Sequence, residues 1–298
     1  MYLLGGSSEQ PVLFSPVWPA PQSIQLGSAR LEVPESFRLQ LDPSCPAGGS
    51  AAPPGSVLSA AIARYQTILR PPSSAATPPQ HASARDLAAV SVCVRTADES
   101  LGPDTPEDYS LHIPAVGVSG GGSSSGGAVT GSINATTVYG ALHAFETLTQ
   151  LCGITTQDPH RVGGSPYNYS GLGYIGVAPV TVVDAPRFRH RGLMIDTGRR
   201  FLPVKTIKNI INGLAMVKLN VLHWHISDSQ SFPSESLLFP GLAEQGAYHP
   251  SAVYSVEAMH EIVRYARQRG VRVVPEWCEK RHLFLSFPYV CPEPVLAK

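Results

Sequence analysis

The sequence predicts an α+β domain followed by the first part of a (β/α)8 barrel, and three observations support this. The first 183 residues mix strand and helix patterns without strict alternation, which is typical of α+β domains. From Arg191 onward, short apolar runs alternate with amphipathic segments, which indicates parallel strands joined by helices. About three such strands precede an irregular tail, whereas a closed barrel of this class needs eight.

Five segments of the first part carry the periodicity of a helix or a strand. Two have apolar residues at helical spacing, Val57–Leu69 and Val138–Leu151, and Gly153 is placed to end the second. Three apolar runs are predicted to be strands: Leu87–Val94, Tyr109–Ile113 and Val177–Val183. Three stretches rich in Pro, Gly, Ser or Ala are predicted to be loops or linkers: Asp42–Gly55, Pro71–Ser83 and Gly117–Gly127.

The second part predicts three strands that end in polar residues. Pro203 suits the first turn of a helix after the first strand, and Ser255 suits the N-cap of a second helix, which Gly270 ends. In (β/α)8 barrels the residues that end the strands line the active-site face, so these residues are expected to face a ligand. The strands are predicted over Gly192–Asp196, Leu219–Ile226 and Val271–Pro275, with a loop over Ser227–Tyr254.

The change in composition and in the pattern of strands and helices along the chain predicts its domain organisation. Residues 11–183 are expected to form the α+β domain, and residues 187–276 the first β/α units of the barrel. Residues 277–298 contain three prolines and show no alternation of strand and helix, so they are predicted to be an irregular tail.

Composition excludes several classes of protein. The 298 residues carry no formal net charge and 15% of them are charged, so the chain has no electrostatic footprint for nucleic acid or an anionic membrane. No apolar run approaches the ~18 residues of a transmembrane helix, and no signal peptide is visible at the N-terminus. The five cysteines form no C-x-x-C pair and are too few for a disulfide scaffold.

Two motifs are candidates for cofactor binding. Residues 171–176 match G-x-G-x-x-G, but a strand follows them rather than a helix, so a plain glycine loop is favoured. His223 and His225 lie on one face of a strand end, and with Asp228 they could hold a metal as in barrel metallohydrolases. Two histidines alone rarely fix a metal, so hydrogen-bonded histidines beneath a polar ligand are favoured, and neither a metal nor another cofactor is expected.

Three charged residues at the strand ends are candidates for ligand contact. Arg199 follows the first strand and Asp228 the second, and a guanidinium with a carboxylate can grip adjacent hydroxyls of a sugar. A surface salt bridge between loops is the alternative. Glu276 ends the third strand and is a candidate acid, base or orienting group. A buried carboxylate paired to an Arg or His is favoured there, because Glu279 in the tail is the one other carboxylate nearby in sequence.

Two triplets are candidates for N-linked glycosylation: Asn134-Ala135-Thr136 and Asn168-Tyr169-Ser170. Such triplets also arise by chance. Glycosylation requires a secretory route, which conflicts with the lack of a visible signal peptide. Either the triplets are accidental or the N-terminus is incomplete.

Five segments carry motifs that point to one family: Gly140–Leu151, His190–Arg199, Leu219–His225, Gln230–Ser236 and Tyr265–Glu276. Together they closely resemble the family-20 glycoside hydrolases, the β-N-acetylhexosaminidases. The resemblance covers roughly residues 11–276 with loop insertions, and the combination of motifs is highly specific.

The resemblance implies a (β/α)8 barrel behind an α+β domain, and exo-hydrolysis of terminal N-acetylglucosamine or N-acetylgalactosamine from glycans. It implies a retaining, substrate-assisted mechanism, which is an exception to the scheme with two catalytic carboxylates. The 2-acetamido oxygen of the substrate attacks the anomeric carbon. An Asp orients the resulting oxazolinium, and the adjacent Glu is the general acid/base. Full-length relatives are often dimeric.

The resemblance also implies roles for individual residues of this sequence. Arg199 matches the family arginine that binds the 3- and 4-hydroxyls of the sugar, and Asp228 matches an acidic residue near the non-reducing sugar. His225 and Glu276 are expected to support the site. His282 falls at the position of a family histidine and is a further candidate for substrate contact.

A disulfide is also implied. Cys45 lies before the first helix, as does a disulfide cysteine in animal members, and Cys93 is its expected partner. The resemblance likewise implies a secretory, lysosomal, vacuolar or extracellular location.

The chain departs from the family pattern after Glu276. Cys278 stands where the family has an Asp, and the Pro-Gly turn that follows in the family is absent. The catalytic Asp-Glu pair of the family follows a fourth strand that this sequence does not contain, so the pair is expected to lie beyond Lys298, the last residue. We therefore expect an N-terminal fragment with no catalytic residue of its own and no hexosaminidase activity. We also expect poor solubility, because the first and third strands would leave unpaired edges.

Three alternatives stay open at this point. The first is a barrel metallohydrolase that uses His223 and His225. The second is a non-catalytic module on residues 11–183 that binds a carbohydrate or a protein partner. The third is that another chain supplies the rest of the barrel.

Overall fold

A computed structural model describes residues 15–46, 53–69, 85–115, 129–153 and 173–277. The predicted loops Pro71–Ser83 and Gly117–Gly127 and the residues after Trp277, up to Lys298, lie outside these ranges. So do the first fourteen residues and the first two residues of the glycine motif at 171–176. The described helices are α1 Val57–Leu69, α2 Val138–Leu151, α3 Val204–Met216, α4 Gly241–Gly246 and α5 Val256–Arg267. The described strands are β1 Ser23–Glu32, β2 Arg38–Leu41, β3 Arg85–Val94, β4 Tyr109–Ile113, β5 Val129–Ala135, β6 Tyr174–Asp184, β7 Gly192–Asp196, β8 Val221–Ser227 and β9 Arg272–Trp277.

The first six strands form one mixed sheet in the order β1-β6-β4-β5-β3-β2. Strands β1, β6, β4 and β5 are antiparallel to their neighbours in turn, whereas β5, β3 and β2 run parallel. Side chains alternate between the two faces of each strand. In β5, for example, Ile133 is buried and Asn134 is exposed. One face therefore carries the core, and the other, which we call the open face of the six-stranded sheet, is polar.

Helices α1 and α2 cover the apolar face of this sheet. Thr137 caps α2 by accepting hydrogen bonds from the backbone of Tyr139 and Gly140, and Gly153 follows the helix with a positive φ of 81°. Almost every residue of α2 is buried, including polar ones such as Glu146 and Thr147. A helix buried on all sides lies between two layers, and α2 contacts both the sheet and α3.

The last three strands form a parallel sheet in the order β7-β8-β9. The helices α3 and α5 pack on one face through Ile207, Ile211 and Ile262, which meet Leu222 and Trp224 of β8. Pro203 precedes α3, and Ser255 caps α5 by accepting a hydrogen bond from the backbone of Ala258. The sheet and its helices therefore have the β/α arrangement that the second part of the sequence predicts.

A buried lysine joins the two sheets. Lys218 follows α3 with a positive φ of 57°, and its ammonium donates hydrogen bonds to Tyr109, Thr147 and Asp184 over 2.8–3.2 Å. Its side chain is 3% exposed. Next to it, Asn220 donates to the carboxylate of Glu107. Arg191 pairs with the same carboxylate at 2.7 Å. The junction between the two sheets is therefore a buried network of charged and polar side chains.

Most predicted elements are confirmed. The helices α1 and α2 and the strands β4 and β7 have the predicted bounds, and the other predicted strands differ by a few residues at their ends. The prediction is wrong in two respects. Strands β1, β2 and β5 were not predicted, and the stretch Ser227–Tyr254 is not all loop because it contains α4.

Two further features concern the environment of the protein. Cys45 and Cys93 are joined by a disulfide, and Cys152 is a free thiol. Among the described residues, every helix is too short or too polar to cross a membrane.

Candidate functional site

Three polar residues lie side by side at the carboxyl end of the three-stranded sheet. Asp196 of β7 pairs in register with His225 of β8, and His225 pairs with Glu276 of β9. Ile195 and Trp224, one position earlier, pack against the helices, so the three polar side chains point to the opposite face. Parallel strands end at the same edge of a sheet, which is why residues about 80 positions apart along the chain meet here.

Arg199 lies between two carboxylates at this edge. Its Nε donates a hydrogen bond to Oδ2 of Asp228 at 2.6 Å, and its Nη1 lies 3.3 Å from Oδ2 of Asp196. The backbone N–H of Arg199 also donates to Oδ1 of Asp196 at 2.9 Å. The guanidinium is thus held by both strand ends while its side chain is 64% exposed. Because these bonds already restrict the side chain, a ligand that binds the exposed guanidinium loses little free energy to ordering it.

Gly198 allows the loop after β7 to approach the end of β8. A Cβ atom at this position would lie 2.5 Å from the backbone nitrogen of Asp228 and 2.6 Å from the carbonyl carbon of Ser227. Both contacts are with backbone, so the approach requires glycine. Without it, Arg199 could not reach Asp228 from the same loop position.

The carboxylate of Asp228 is held in its charged form. The backbone N–H of Ser229 donates to Oδ1 at 2.6 Å, and Arg199 donates to Oδ2. The backbone bond from Ser229 is the largest of the causes that lower the pKa of Asp228 to about 2. Desolvation opposes it, and the bond and charge of Arg199 lower the pKa further. A carboxylate that stays ionised accepts hydrogen bonds from ligand hydroxyls at every physiological pH.

The two histidines of β8 both bind Glu276. The Nε2 of His223 and the Nδ1 of His225 lie 2.6 Å and 3.1 Å from the same carboxylate oxygen, Oε2. These bonds, that from His225 first, lower the pKa of Glu276. An ionised carboxylate only accepts, so Nδ1 of His225 carries the proton, and in the neutral ring Nε2 is left as an acceptor. That Nε2 is buried and has no hydrogen-bond partner among the residues that the structure describes.

The geometry differs from the sequence interpretation in the burial of Glu276, and from the metal alternative in the position of His223. Glu276 is paired to histidines as predicted, but it is not buried, because 44% of its side chain is exposed at the sheet edge. The residues close enough to share a metal in the described part of the chain are Asp196, His225 and Asp228, whose ligand atoms lie within 4.8 Å of one another; His223 is not one of them. Arg199 already supplies the positive charge between these carboxylates. The arrangement therefore favours an arginine clamp over a metal centre.

Three neighbouring residues support the clamp, of which Trp224 and Thr197 are buried and Tyr248 is exposed. The indole N–H of Trp224 donates to Oγ1 of Thr197 at 2.9 Å, and the backbone N–H of Thr197 donates to the carbonyl of His225 at 2.9 Å. The hydroxyl of Tyr248 donates to the carbonyl oxygen of Arg199 at 3.1 Å. These bonds fix the loop that carries Arg199 to β8 and to the loop before α5.

The sequence identified part of this group. Arg199, Asp228, His225 and Glu276 all lie at the same edge, as their positions after the strands predicted. Asp196 was not singled out, although it is the last residue of β7 and lies in register with His225 near the end of β8. Tyr248 had no sequence signal, because it lies in a long loop.

Some predicted site positions lie outside the described residues. They are His282, Asn168 and the tail after Trp277, up to Lys298; Trp277 itself ends β9 instead of beginning an irregular tail. The expectation that the catalytic Asp-Glu pair of the family lies beyond Lys298 therefore stays a prediction. The clamp at the ends of β7 and β8 is the part of the predicted site that the structure brings together.

Comparison with known proteins identifies the family. Residues 17–151 match the family described as beta-acetyl hexosaminidase like, and residues 188–279 match glycosyl hydrolase family 20, catalytic domain. The chain is 34% identical over 277 residues to the β subunit of β-hexosaminidase of Rattus norvegicus, covering 89% of this chain and 44% of the relative. It is 35% identical over 275 residues to β-hexosaminidase 1 of Arabidopsis thaliana, covering 87% and 44%.

Solved structures show the same relationship. A chitobiase of Flavobacterium johnsoniae matches with a TM-score of 0.62 and 25% identity, over 88% of this chain and 34% of its own. An N-acetyl-β-hexosaminidase of Streptomyces plicatus matches with a TM-score of 0.58 and 25% identity, over 89% and 46%. The chain spans less than half the length of these relatives. It belongs to glycosyl hydrolase family 20.

Proposed function

We propose that the edge formed by Arg199, Asp228 and His225 is the part of a β-N-acetylhexosaminidase site that holds the terminal, non-reducing sugar. The observation that carries this proposal is the clamp itself: Arg199 is fixed between two carboxylates at the carboxyl ends of β7 and β8. The relatives of the chain reported above are β-hexosaminidases, and this supports an N-acetylhexosamine at the end of a glycan as the ligand.

The chemistry of the edge suits a sugar. A guanidinium donates to hydroxyl oxygens, while the ionised carboxylate of Asp228 accepts from hydroxyl hydrogens. Donors and acceptors that alternate over a few ångströms match the adjacent hydroxyls of a pyranose, each of which both donates and accepts.

We propose that β7, β8 and β9 are the first strands of a (β/α)8 barrel, with residues 11–183 as the preceding domain and 277–298 as a divergent tail. The parallel order and the placement of helices on one face support this. The sequence departs from the family pattern after Glu276, and we assign none of its 298 residues to orienting the acetamido group or transferring the proton. The 298-residue chain is therefore proposed to bind the sugar without hydrolysing it.

Binding to N-acetylglucosamine tests the clamp. Saturation-transfer NMR on the full chain should show contact with the sugar, and Arg199→Met should weaken it at least tenfold, because the bidentate charged donor is lost. Arg200→Met, which removes the adjacent exposed arginine, is the matched control and should leave the signal unchanged. Equal binding by wild type and Arg199→Met would contradict the proposal.

A turnover assay tests the second half of the proposal. The purified 298-residue chain should release no chromophore from a chromogenic N-acetylglucosaminide. Turnover that survives repurification would show that other residues of this chain perform the catalytic steps. Elemental analysis of the same sample checks the metallohydrolase alternative, which requires about one zinc per chain.

We also propose a secretory, lysosomal or vacuolar location. The disulfide between Cys45 and Cys93 supports it, because such bonds form and persist in oxidising compartments. Fractionation of cells that express the native gene, followed by detection with an antibody, would test this location.

A further inference from the structure

The open face of the six-stranded sheet carries a residue whose presence the fold does not explain. Asn134 lies in β5, which is bonded to β3 on one side and β4 on the other. Asparagine is disfavoured in strands, since it has a short polar side chain and gains little from packing. Here the side chain is exposed, so no burial offsets the cost. The packing of the strand therefore does not account for an asparagine at this position.

Asn134 begins the triplet Asn134-Ala135-Thr136, in which Ala135 points into the core and Thr136 lies just beyond the strand. The hydroxyl of Thr136 donates to Asp108 in the folded protein at 2.7 Å. The triplet matches the acceptor pattern for N-linked glycans, and the exposed side chain of Asn134 leaves room for an attached glycan once the chain has folded.

The surroundings of Asn134 provide an independent observation. Its register partner on β3 is Cys93, which is bonded to Cys45. Its register partner on β4 is Ser110. The acceptor therefore lies beside a disulfide, and both modifications require the same oxidising secretory compartment. The neighbouring side chains of the open face are small or polar, so a bulky hydrophilic group can stand on it without displacing packed atoms.

We propose that Asn134 is an N-glycosylation site whose oligosaccharide stands on the open face of the six-stranded sheet, beside the Cys45–Cys93 bridge. In the transfer, Nδ2 of Asn134 forms a C–N bond to the anomeric carbon of a lipid-linked oligosaccharide. The bond from that carbon to the lipid diphosphate breaks, and the diphosphate leaves with the electron pair. The amide nitrogen loses one proton. The oligosaccharide is hydrophilic and solubilising, as surface glycans are.

This proposal goes beyond the sugar-binding proposal, and the two fail separately. The test uses the full chain behind a cleavable leader for the endoplasmic reticulum, expressed in cultured animal cells. A short C-terminal tag with its own glycosylation triplet reports that a given molecule entered the lumen. Release of the glycans by a peptide N-glycosidase in H2 18O converts each modified asparagine to an 18O-labelled aspartate, which peptide mass spectrometry locates.

In molecules with a modified tag, the peptide that contains residue 134 should carry the label. Asn134→Gln and Thr136→Ala should each remove one glycan from the chain, while Thr136→Ser, which keeps a functional triplet, should retain it. Asn168→Gln, at the other triplet, is the matched control and should leave the label at residue 134. Cell lysate is analysed as well as medium, because the transfer precedes folding and is readable even in a variant that is not secreted. An unlabelled residue 134 in molecules whose tag is modified would overturn the proposal.

Discussion

The Nε of Arg199 donates a hydrogen bond to Oδ2 of Asp228 at 2.6 Å, which ties the loop after β7 to the end of β8. The backbone N–H of Ser229 donates to the other oxygen of the same carboxylate. Asp228 is therefore held from two sides, and only one of the two donors is a side chain that can be removed by substitution.

The pKa of Asp228 should distinguish these two donors. In Arg199→Met we expect this pKa to rise from about 2 but to stay below its ordinary value, because the Ser229 backbone bond is its largest cause and remains. The measurement is the carboxyl 13C shift of Asp228 through an acid titration. Arg200→Met is the control and should leave the titration of Asp228 where it is. A return to the ordinary value in Arg199→Met would mean that the arginine provides the whole effect.

Lys218 should be among the most costly residues of the protein to replace. Lys218→Met leaves Asp184, which is 11% exposed, without its buried partner, so we expect the free energy of unfolding to fall by about 3–5 kcal/mol. Lys208→Met is the matched control, because Lys208 pairs with the half-exposed Glu261, and such a pair contributes about 0–1 kcal/mol. Urea denaturation gives both values. Similar losses in the two variants would show that burial of the Lys218 pair is unimportant.

Glu146 should make stability depend on pH. Burial raises its pKa from 4.5 to about 7, while its hydrogen bond from Tyr65 acts in the opposite direction. The folded state therefore keeps a proton that the unfolded state loses near pH 4.5. The free energy of unfolding should fall as the pH rises from about 4.5 to 7, by roughly 3 kcal/mol over that window.

Glu146→Gln should remove this fall. We expect the free energy of unfolding of the variant to rise relative to that of the wild type as the pH increases from about 4.5 to 7. Urea denaturation at four pH values would measure this difference. Glu261→Gln changes a half-exposed carboxylate and should keep the wild-type slope. Parallel curves for the wild type and Glu146→Gln would mean that Glu146 is ionised throughout.

The disulfide between Cys45 and Cys93 should contribute more to the free energy of unfolding than the free thiol of Cys152 does. Cys45 and Cys93 are 48 positions apart, and closing a loop of that length stabilises a protein by about 3–4 kcal/mol in the chain-entropy treatment. Replacing both by Ala should cost that amount in urea denaturation. Cys152→Ala is the control. Its free energy of unfolding should differ from that of the wild type by far less, and the difference should be the same with and without reductant. A double variant as stable as the wild type would contradict the expectation.

The three-stranded sheet should cause self-association. In the described part of the chain, β7 and β9 each pair on one side only, and Met194 and Val274 on the face away from the helices are 53% and 40% exposed. Light scattering over a concentration series should show association that Met194→Gln with Val274→Thr reduces. Leu237→Gln with Leu238→Gln, at two loop residues that are each 79% exposed, should leave it unchanged. A monomeric wild type at all concentrations would contradict this.

The sequence predicted elements where a single pattern determines them. The helices α1 and α2 were predicted end to end because apolar residues recur at helical spacing. Strand β5 was not predicted, since it contains Gly131 and Asn134, both poor strand residues, and its pairing with β3 and β4 supplies what its sequence lacks. The six-residue helix α4 is too short for its periodicity to be recognised.

The same limit applies to the site. Positions after strands indicated Arg199, Asp228 and Glu276, because parallel strands bring their ends together. The bond of Asp196 to Arg199 depends on the path of a loop that only Gly198 allows, and spacing along the chain does not reveal such a path. Tyr248 reaches Arg199 through a loop as well.

The position of α2 between two layers has a consequence for biosynthesis. The residues that cover its outer side, among them Lys218, leave the ribosome about 70 residues after α2 does. Until then the helix has only α1 and the strands of the six-stranded sheet to pack on, and a nascent chain in that state offers chaperones a partly exposed helix. A stall or an early stop codon before Lys218 would leave the molecule in that condition, so the order of synthesis places its most vulnerable interval between these two points.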